Sequence, residues 1–570
     1  MTQTMTENYW SQLARREVGR RGVLQAAVVG GAGLAGAALI GCGGGSSSGG
    51  TATATKAAAA APGAAATAAV AAKPRFGGKH SSSTKGDPPG WSVFTASHLT
   101  ARMNSFPLEK LLEFKAGPGV PPNSTDLIPG LATALPEQPD GQTYVFKIRQ
   151  GVKFQNVAPV NGRPMAVEDV KYAIDTMRTN KAFQADFTTV TSVEATDAQT
   201  LVVKTKAPYA PFLPTSVGQY GWPIFPKEII DSKLTDNTAI GTGAYIRAEW
   251  QQGSKIVFKK NPDYWNKDLG FIDEITFLVM PDPNAEVAAF TTKQIDSTGG
   301  QLAALPCELT TGVKGVQVQS YVGTTASASW DTTKPPFNDV RVRRAVSLLY
   351  NHEAEGQAVY CGSSAVVGLL TGARALKPAE IPDLANYLKV DVKQAKDLLA
   401  AAGFPNGFKA DIAFTPEYGQ VYTTALDRFI GDAKQGGITL NPVSYEYGKW
   451  IAEIYRPPYN WTGMCWSGNS RSYPDPDQEA RRFLYPGENT NQSRVNDPAM
   501  TALIDKQAIQ LNVNERWATL HEIQRLEAKN MYHLWKGTGD TRYLMQNRLH
   551  DFVDDMHYSS HKFLYAWVDA

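Results

Sequence analysis

Cys42 carries the most definite chemistry in this sequence. It ends an apolar run from Val23 to Ile40, interrupted only by Gln25, and the closing residues LIGC have the form of a lipobox. A thiol so placed is suited to diacylation once cleavage makes it the mature N-terminus. A buried core cysteine is the competing reading, but Gly43 to Gly50 cannot pack a core. Arg20 and Arg21 stand just before the apolar run as a twin-arginine pair, so residues 1–41 read as a signal peptide and not as a permanent membrane span.

Other reactive side chains are sparse. His557 and His561 lie four apart, the spacing of two imidazoles on one helical face, yet Tyr558, Phe563 and Tyr565 suggest a terminal strand and no third ligand is near. Cys307, Cys361 and Cys465 are an odd number once Cys42 is acylated, so they form at most one internal disulfide. No GxSxG, HExxH, GxxxxGK or GxGxxG motif occurs. We therefore expect no catalysis, no metal and no cofactor. Rings are plentiful instead: Trp450, Trp461 and Trp466 are interleaved with Tyr455 and Tyr459, just after Tyr445 and Tyr447. Tyr220 and Trp222 flank Gly221, either as a stacking surface or as a satellite of the core. Neutral, ring-rich pockets suit the C–H faces of sugars and also apolar peptide side chains.

The elements that must hold such a pocket occupy residues from Pro88 onward. Before them, Gly43 to Ala72 is Gly/Ser and then Ala/Thr, too poor in apolar surface to repay its ordering entropy, so 42–85 reads as a tether. The tether carries five basic residues and no acidic one, which suits solubility or anionic headgroups. Residues 86–570 hold 47 basic and 52 acidic residues, net −5, and a mildly acidic body without a basic stripe argues against nucleic acid. Within it, Tyr144, Phe146 and Ile148 alternate as a half-buried strand. Val170, Ala173, Ile174 and Met177 mark a helix whose start has Ala166 in place of a capping hydroxyl. A short helix is expected in Ser105–Leu112 and a Pro-bounded turn in Pro208–Pro214. Three strands are expected around Ile246–Trp250, Lys255–Lys260 and Ile272–Met280. A helix should follow over Asn284–Thr292, with Ala285, Ala288 and Ala289 inward. Helices capped by Asn338, Asp391, Asp497 and Asn514 complete the pattern.

Several long motifs carry a resemblance. GTGAY (from Gly241), NPDYW (from Asn261), KQID, LATALPEQPDGQTYVFKIRQGVKFQN and PPFNDVRVRRAVSLLYNHEA occur in the order found in the extracellular solute-binding proteins of the peptide/nickel type, family 5, which feed ABC importers. The chain resembles that family from about Leu127 to His550. The resemblance implies a mixed α/β, two-lobe clamshell with an extra domain inserted in lobe one. Lobe one would comprise 86–124, 241–325 and 536–570, the insert 125–240, and lobe two 326–535. Arg341, Arg343 and Arg344 would then be a solvated face with interdomain ion pairs, and Cys361–Cys465, both in lobe two, the candidate disulfide.

By the same resemblance the ligand loop is Met464–Leu484, MCWSGNSRSYPDPDQEARRFL. Peptide-binding relatives present an Asp just before the YPDP-like turn, to meet the peptide ammonium. Here that position is Ser472, preceded by Arg471, or Asn469 in a shifted register. The expected ligand contacts are therefore Trp466, Asn469, Arg471 and Ser472, with Tyr220 and Trp222 opposite, around a neutral site for a peptide-like solute or an oligosaccharide. Asp475 and Asp477 are expected to be structural. The expected partners are that solute, ABC permease subunits and membrane lipid through acylated Cys42, with the protein a monomer outside the cytoplasm. A secreted hydrolase and a chaperone or sensor module on the same scaffold are the competing functions.

Overall fold

The computed structural model describes residues 73–569 apart from 96, 122–123, 181–186, 218–220, 235–237, 300–312, 314–315, 320–324, 361, 363–364, 372–373, 472–474, 539–542 and 554–560. Cys42, the signal segment, Tyr220, Ser472, Cys307, Cys361 and His557 lie outside the described residues.

The first lobe opens with β1 (Lys79–Thr84) and α1 (His98–Asn104). The tether expected over 42–85 therefore stops short of β1, whose residues pair with Glu274–Val279 and are largely buried. The helix expected at Ser105–Leu112 lies earlier because Pro107 interrupts that stretch. The carbonyls of Phe106 and Pro107 instead accept from Tyr245 and Gly243 at 3.3 and 2.9 Å. An inserted unit follows: β2 (Thr143–Lys147), α2 (Val167–Thr179), β3 (Val190–Asp197) and β4 (Thr200–Thr205), with the strands antiparallel in the order β2-β4-β3. Tyr144 and Phe146 are buried as their alternation requires. At the start of α2 the missing hydroxyl is offset from the other side. Asp169 Oδ2 accepts the Ala166 N–H at 2.9 Å, while Arg163 clamps Asp169 through two nitrogens at 2.7 and 2.8 Å. In place of the expected turn, α3 (Phe212–Val217) begins inside Pro208–Pro214, since Phe212 and Leu213 must be buried.

Next come β5 (Tyr245–Gln251), β6 (Lys255–Lys260), β7 (Glu274–Val279) and α4 (Pro283–Thr291). The sheet order is β1-β7-β6-β5, with β1 parallel to β7 and Lys79 opposite Glu274. The inward face of α4 is Glu286, Ala289 and Phe290, not Ala285 and Ala288. Glu286 turns inward because Lys85 Nζ and Ser83 Oγ meet its carboxylate at 2.5 Å each. Phe106 stacks on Phe258 at 4.4 Å, and Phe563 lies 5.3 Å from Phe106, so the C-terminal segment closes this core. Phe563 and His561 belong to a short helix, His561–Tyr565, where a strand was expected.

The chain leaves through β8 (Val316–Gln319) and builds the second lobe from β9 (Thr325–Trp330), α5 (Val340–Leu349), α6 (His352–Val359), α7 (Val392–Ala401), β10 (Lys409–Phe414), α8 (Gln420–Lys434), β11 (Thr439–Ser444), β12 (Met464–Arg471), α9 (Pro476–Leu484), α10 (Pro498–Ala508), α11 (Val513–Asn530) and β13 (His533–Trp535). It returns through β14 (Tyr543–Gln546), antiparallel to β8. The second sheet runs β11-β10-β12-β9-β13. Asp391 and Asp497 cap α7 and α10 as expected, whereas α5 and α11 are capped one and two residues away from expectation, by Asp339 and Asn512. Arg343 is buried and belongs to neither a solvated face nor an interdomain pair. It donates to Phe337, Asn530 and Met531 carbonyls, closing the C-terminal end of α11, and burial pulls its pKa down to about 10. Cys465 is a buried free thiol, so the expected bridge to Cys361 does not form. Among the described residues no helix is long and apolar enough to cross a membrane.

The two motifs GTGAY and NPDYW meet at Glu109. Thr242 Oγ1 donates to Oε2 at 2.6 Å, Tyr264 Oη to Oε1 at 3.1 Å, and Trp265 Nε1 to both oxygens at 3.1 Å. Arg149 sits 4.1 Å over the Trp265 ring. Gly241 and Gly243 are required for this approach, since a Cβ on either would come within 2.4 Å of the Pro107 or Phe106 carbonyl oxygen. Loss of water pushes the Glu109 pKa up from 4.5 to about 7, against the pull of the three donor side chains.

Because the folded state holds this proton more tightly than the unfolded chain, the contribution of Glu109 to stability is full below about pH 4.5 and is lost as pH rises through about 7. Urea unfolding at a series of pH values should show Glu109→Gln flattening that slope. Glu109→Leu, which strands three donors, should cost about 3 kcal/mol or more at every pH.

Candidate ligand-binding site

In the second sheet β9 lies between the central strand β12 and the edge strand β13, and along the chain β8 precedes β9 while β14 follows β13. Across these strands Trp535, Ser327 and Asn469 form one row, and Thr325 pairs with Arg471 in the next. Asn469 and Arg471 therefore belong to a strand, where a loop was expected.

Alternation along β12 separates its rings and thiol between two cores. Met464 and Trp466 enter the main core of the second lobe, while Cys465 faces a satellite of Ala413, Trp450, Ile454 and Trp461. Trp450 donates to the Tyr418 hydroxyl at 3.0 Å and Trp461 to the Ile454 carbonyl at 3.1 Å. Both rings are buried, so the dense aromatic run between Tyr445 and Trp461 is largely structural. Trp466 is fully buried, stacked on Phe429 at 5.3 Å, with Nε1 donating to the Tyr422 carbonyl at 3.3 Å. It backs the wall without offering an open face. Trp222 likewise packs in the first core, stacked on Phe187 and edge-on to Phe212, both at 5.2 Å.

One charged group that sequence reasoning missed sits against Trp466. Lys536 follows β13 directly, its N–H donating to the Ala326 carbonyl at 2.8 Å. Its Nζ donates to the Ser467 carbonyl at 3.0 Å and lies 4.2 Å from the centre of the Trp466 ring and 5.5 Å from that of Tyr422. Glu355 of α6 faces it and accepts the Gly537 N–H at 3.1 Å. Burial pulls the Lys536 pKa down and pushes that of Glu355 up, while each opposes the shift of the other. His352 stands edge-on to Tyr350 at 4.6 Å, and burial pulls it down to about 4, so it is neutral at neutral pH. The sequence signal for Lys536 is slight: a single lysine ending the apolar strand HLW.

Beyond β12 the aspartates are structural, as expected. Asp475 caps α9 through the Asp477 N–H at 2.8 Å and pairs with Arg516 at 2.5 and 2.9 Å, both side chains being buried. Asp477 accepts from Gln507 and from Arg481, and burial pushes its pKa up. From the inserted unit, Tyr209 Oη reaches Asp477 at 3.5 Å and the Ala210 N–H donates to the Ala508 carbonyl at 2.7 Å. This contact joins the inserted unit to the second lobe. Among the described residues no cluster of three or more His, Cys, Asp or Glu side chains is placed to hold a metal ion.

Known proteins share both sequence and architecture with this chain. Residues 126–491 match the bacterial extracellular solute-binding proteins, family 5 middle. Heme-binding protein A of Haemophilus influenzae is 26% identical over 445 residues, covering 72% of this chain and 78% of that protein. The dipeptide-binding protein of Escherichia coli K12 is 26% identical over 431 residues, covering 69% and 76%. The ABC transporter-associated periplasmic binding protein DppA of Helicobacter pylori, solved with the peptide STSA, superposes with a TM-score of 0.72 at 21% identity, covering 87% of this chain and 99% of that one. A dipeptide-binding protein of Pseudoalteromonas sp. SM9913, solved with Met-Leu, gives a TM-score of 0.70 at 18% identity, covering 86% and 100%. All four of these relatives are binding proteins. With its two lobes, its inserted unit and a family match over most of its length, this chain belongs to the bacterial extracellular solute-binding proteins, family 5.

Proposed function

We propose that the protein captures a peptide-like solute between its lobes and delivers it to an ABC permease. The observation that carries this reading is the double crossing. β8 and β14 pair with one another, and the strands next to them in the chain, β9 and β13, pair side by side in the second sheet with β12 next to β9. A solute touching both walls binds the closed arrangement more tightly than the open one, so it draws the lobes together. The ligands of those relatives (dipeptide, the peptide STSA, Met-Leu) support the peptide-like class. With the rings of Trp450 and Trp461 spent on a core, no particular observation favours an oligosaccharide.

In this reading lobe one comprises β1 with 86–124, 241–325 and 536–570, the insert 125–240, and lobe two 326–535. Asn469 and Ser472 supply neutral polar contacts, while Trp466 supports the wall. Arg471 and Tyr220 are the remaining proposed contacts. Export follows the twin-arginine pair Arg20 and Arg21, and acylated Cys42 holds the protein to the cell membrane outside the cytoplasm, on the periplasmic side or the cell surface, through a tether that ends before β1.

Native mass spectrometry of the purified protein should reveal a bound peptide-like mass that is lost on denaturation. Re-adding that solute should reduce the radius of gyration in small-angle scattering; an unchanged radius at confirmed saturation would argue against a closing clamshell. Separately, Cys42→Ala should move the protein from the membrane to the soluble fraction. An unacylated wild-type N-terminus in an intact-mass measurement would refute the anchor.

A further inference from the structure

We propose that the cavity beside Phe76, where the tether joins the first lobe, is a site for the phosphate head group of a membrane lipid, so that the anchored body rests with this end on the bilayer. This rests on the reading of Cys42 as an acylated anchor, and adds a second, non-covalent contact with the same membrane.

The lining is the first ground. A cavity of about 180 Å³ lies at the end of β6, walled by Phe76, Lys260, Asn261, Tyr264, Asn266 and Lys267 with smaller apolar groups, and no acidic side chain lines it. Its side-chain acceptors are already engaged. Asn261 Oδ1 accepts the Asp263 N–H and Asn266 Oδ1 the Asp268 N–H, both at 3.1 Å, while the Tyr264 hydroxyl donates to Glu109. Donors remain: the two ammonium groups and the Asn266 amide. Lys267 Nζ donates to the Pro262 carbonyl at 2.8 Å, and Lys260 Nζ stands 4.0 Å over the Phe76 ring. Among the described residues neither ammonium makes an ion pair, whereas Arg75 has Asp569 at 2.7 Å and Lys79 has Glu274 at 3.0 Å. Loss of water pulls the Lys260 pKa down; Asp273 opposes that pull and the charge of Lys267 adds to it. Asp263, Asp268 and Asp273 are exposed and outside the lining. Two like charges facing one cavity with donors and no free side-chain acceptor select an anion.

Position is the second, and it says which anion. Phe76 is an exposed ring held 4.8 Å from that of Phe271, and the Gly77 N–H donates to the Phe271 carbonyl at 2.8 Å, so the chain is fastened to the body here. Residues 43–72 separate this point from Cys42. A Gly-, Ser- and Ala-rich stretch of that length has a root-mean-square span of about 30 Å, which keeps this end of the body within reach of the bilayer. An exposed ring beside ammonium groups suits the head-group layer, where the ring meets the first carbons and the cations meet phosphate. A phospholipid offers both parts: a phosphate for Lys260, Lys267 and Asn266, and glycerol carbons for Phe76 and Leu269.

The test uses the acylated protein on phosphatidylcholine vesicles, with and without phosphatidylglycerol as about a third of the lipid, read by amide hydrogen exchange. Flotation first establishes that the anchor holds the protein on both. Amides of residues 73–79 and 261–270 should exchange about fivefold or more slowly on the anionic vesicles than on the neutral ones, while those of the second lobe keep one rate. Lys260→Gln combined with Lys267→Gln should abolish the difference, and Phe76→Ser, at an exposed position, should reduce it; thermal melts establish that each variant is folded. Should neither fold, the wild-type comparison still decides. Equal exchange on the two vesicles, or a difference unchanged in the folded variants, overturns the head-group site and leaves the anchor standing. Inorganic phosphate added to the protein in detergent separates the sources: protection equal to that on anionic vesicles would assign the site to free phosphate and overturn the membrane contact. Failure to float with either vesicle overturns the anchor and this site together.

Discussion

The carboxylate of Glu109 is the point on which the first lobe depends. Thr242, Tyr264 and Trp265 reach it from more than 130 residues away in sequence. A carboxylate removed from water is costly unless donors surround it or a proton neutralises it, and here both occur. The demand runs in both directions. The carboxyl group needs its donors, and those three polar groups need an acceptor where water is scarce. Satisfying both fixes the chain at Phe106–Pro107 against Gly241–Gly243, where backbone meets backbone with no space for a Cβ. That contact sets where β5 begins, and so the register of the antiparallel strands that follow it.

The second lobe solves a different problem, that of holding charges inside a sheet-and-helix core. Asp475 and Arg516 do it by pairing, with Gln507 hydrogen-bonded to both Arg516 and Asp477. Arg343 does it by meeting carbonyls at the end of α11. Lys536 does it with a carbonyl, two rings and a facing carboxylate. Removing one member of such an arrangement exposes the desolvation cost of the others, so these groups resist change even where they contribute little net stability. All of them are buried within the second lobe, Lys536 directly after its last strand.

Much of the fold was legible in the residues. The alternation of Tyr144 and Phe146, the strand pairs around Lys255–Lys260 and the caps Asp391 and Asp497 all follow local rules of period and hydrogen bonding, and the structure has them there. The misses have local causes as well. Pro107 moved a helix toward the N-terminus, Asp339 outcompeted its neighbour Asn338 as a cap, and Glu286 turned inward because Lys85 and Ser83 were there to meet it. The long motifs gave the family and the order of the lobes, since they span elements that recur together.

The sequence by itself determined the alternation of faces along β12, the absence of any acid in its eight residues, and the clustering of rings before it, because these depend only on chain order. It did not determine which face of the strand each ring would meet, nor that Cys465 would lie among Trp450 and Trp461 instead of in a disulfide. Tertiary structure decided those, by placing β12 between β10 and β9 with helices on its Trp466 side. It also decided the environment of Glu109 and of Lys536. Burial, and the donors or rings that make burial tolerable, come from segments hundreds of residues apart, and no period along the chain encodes such a meeting.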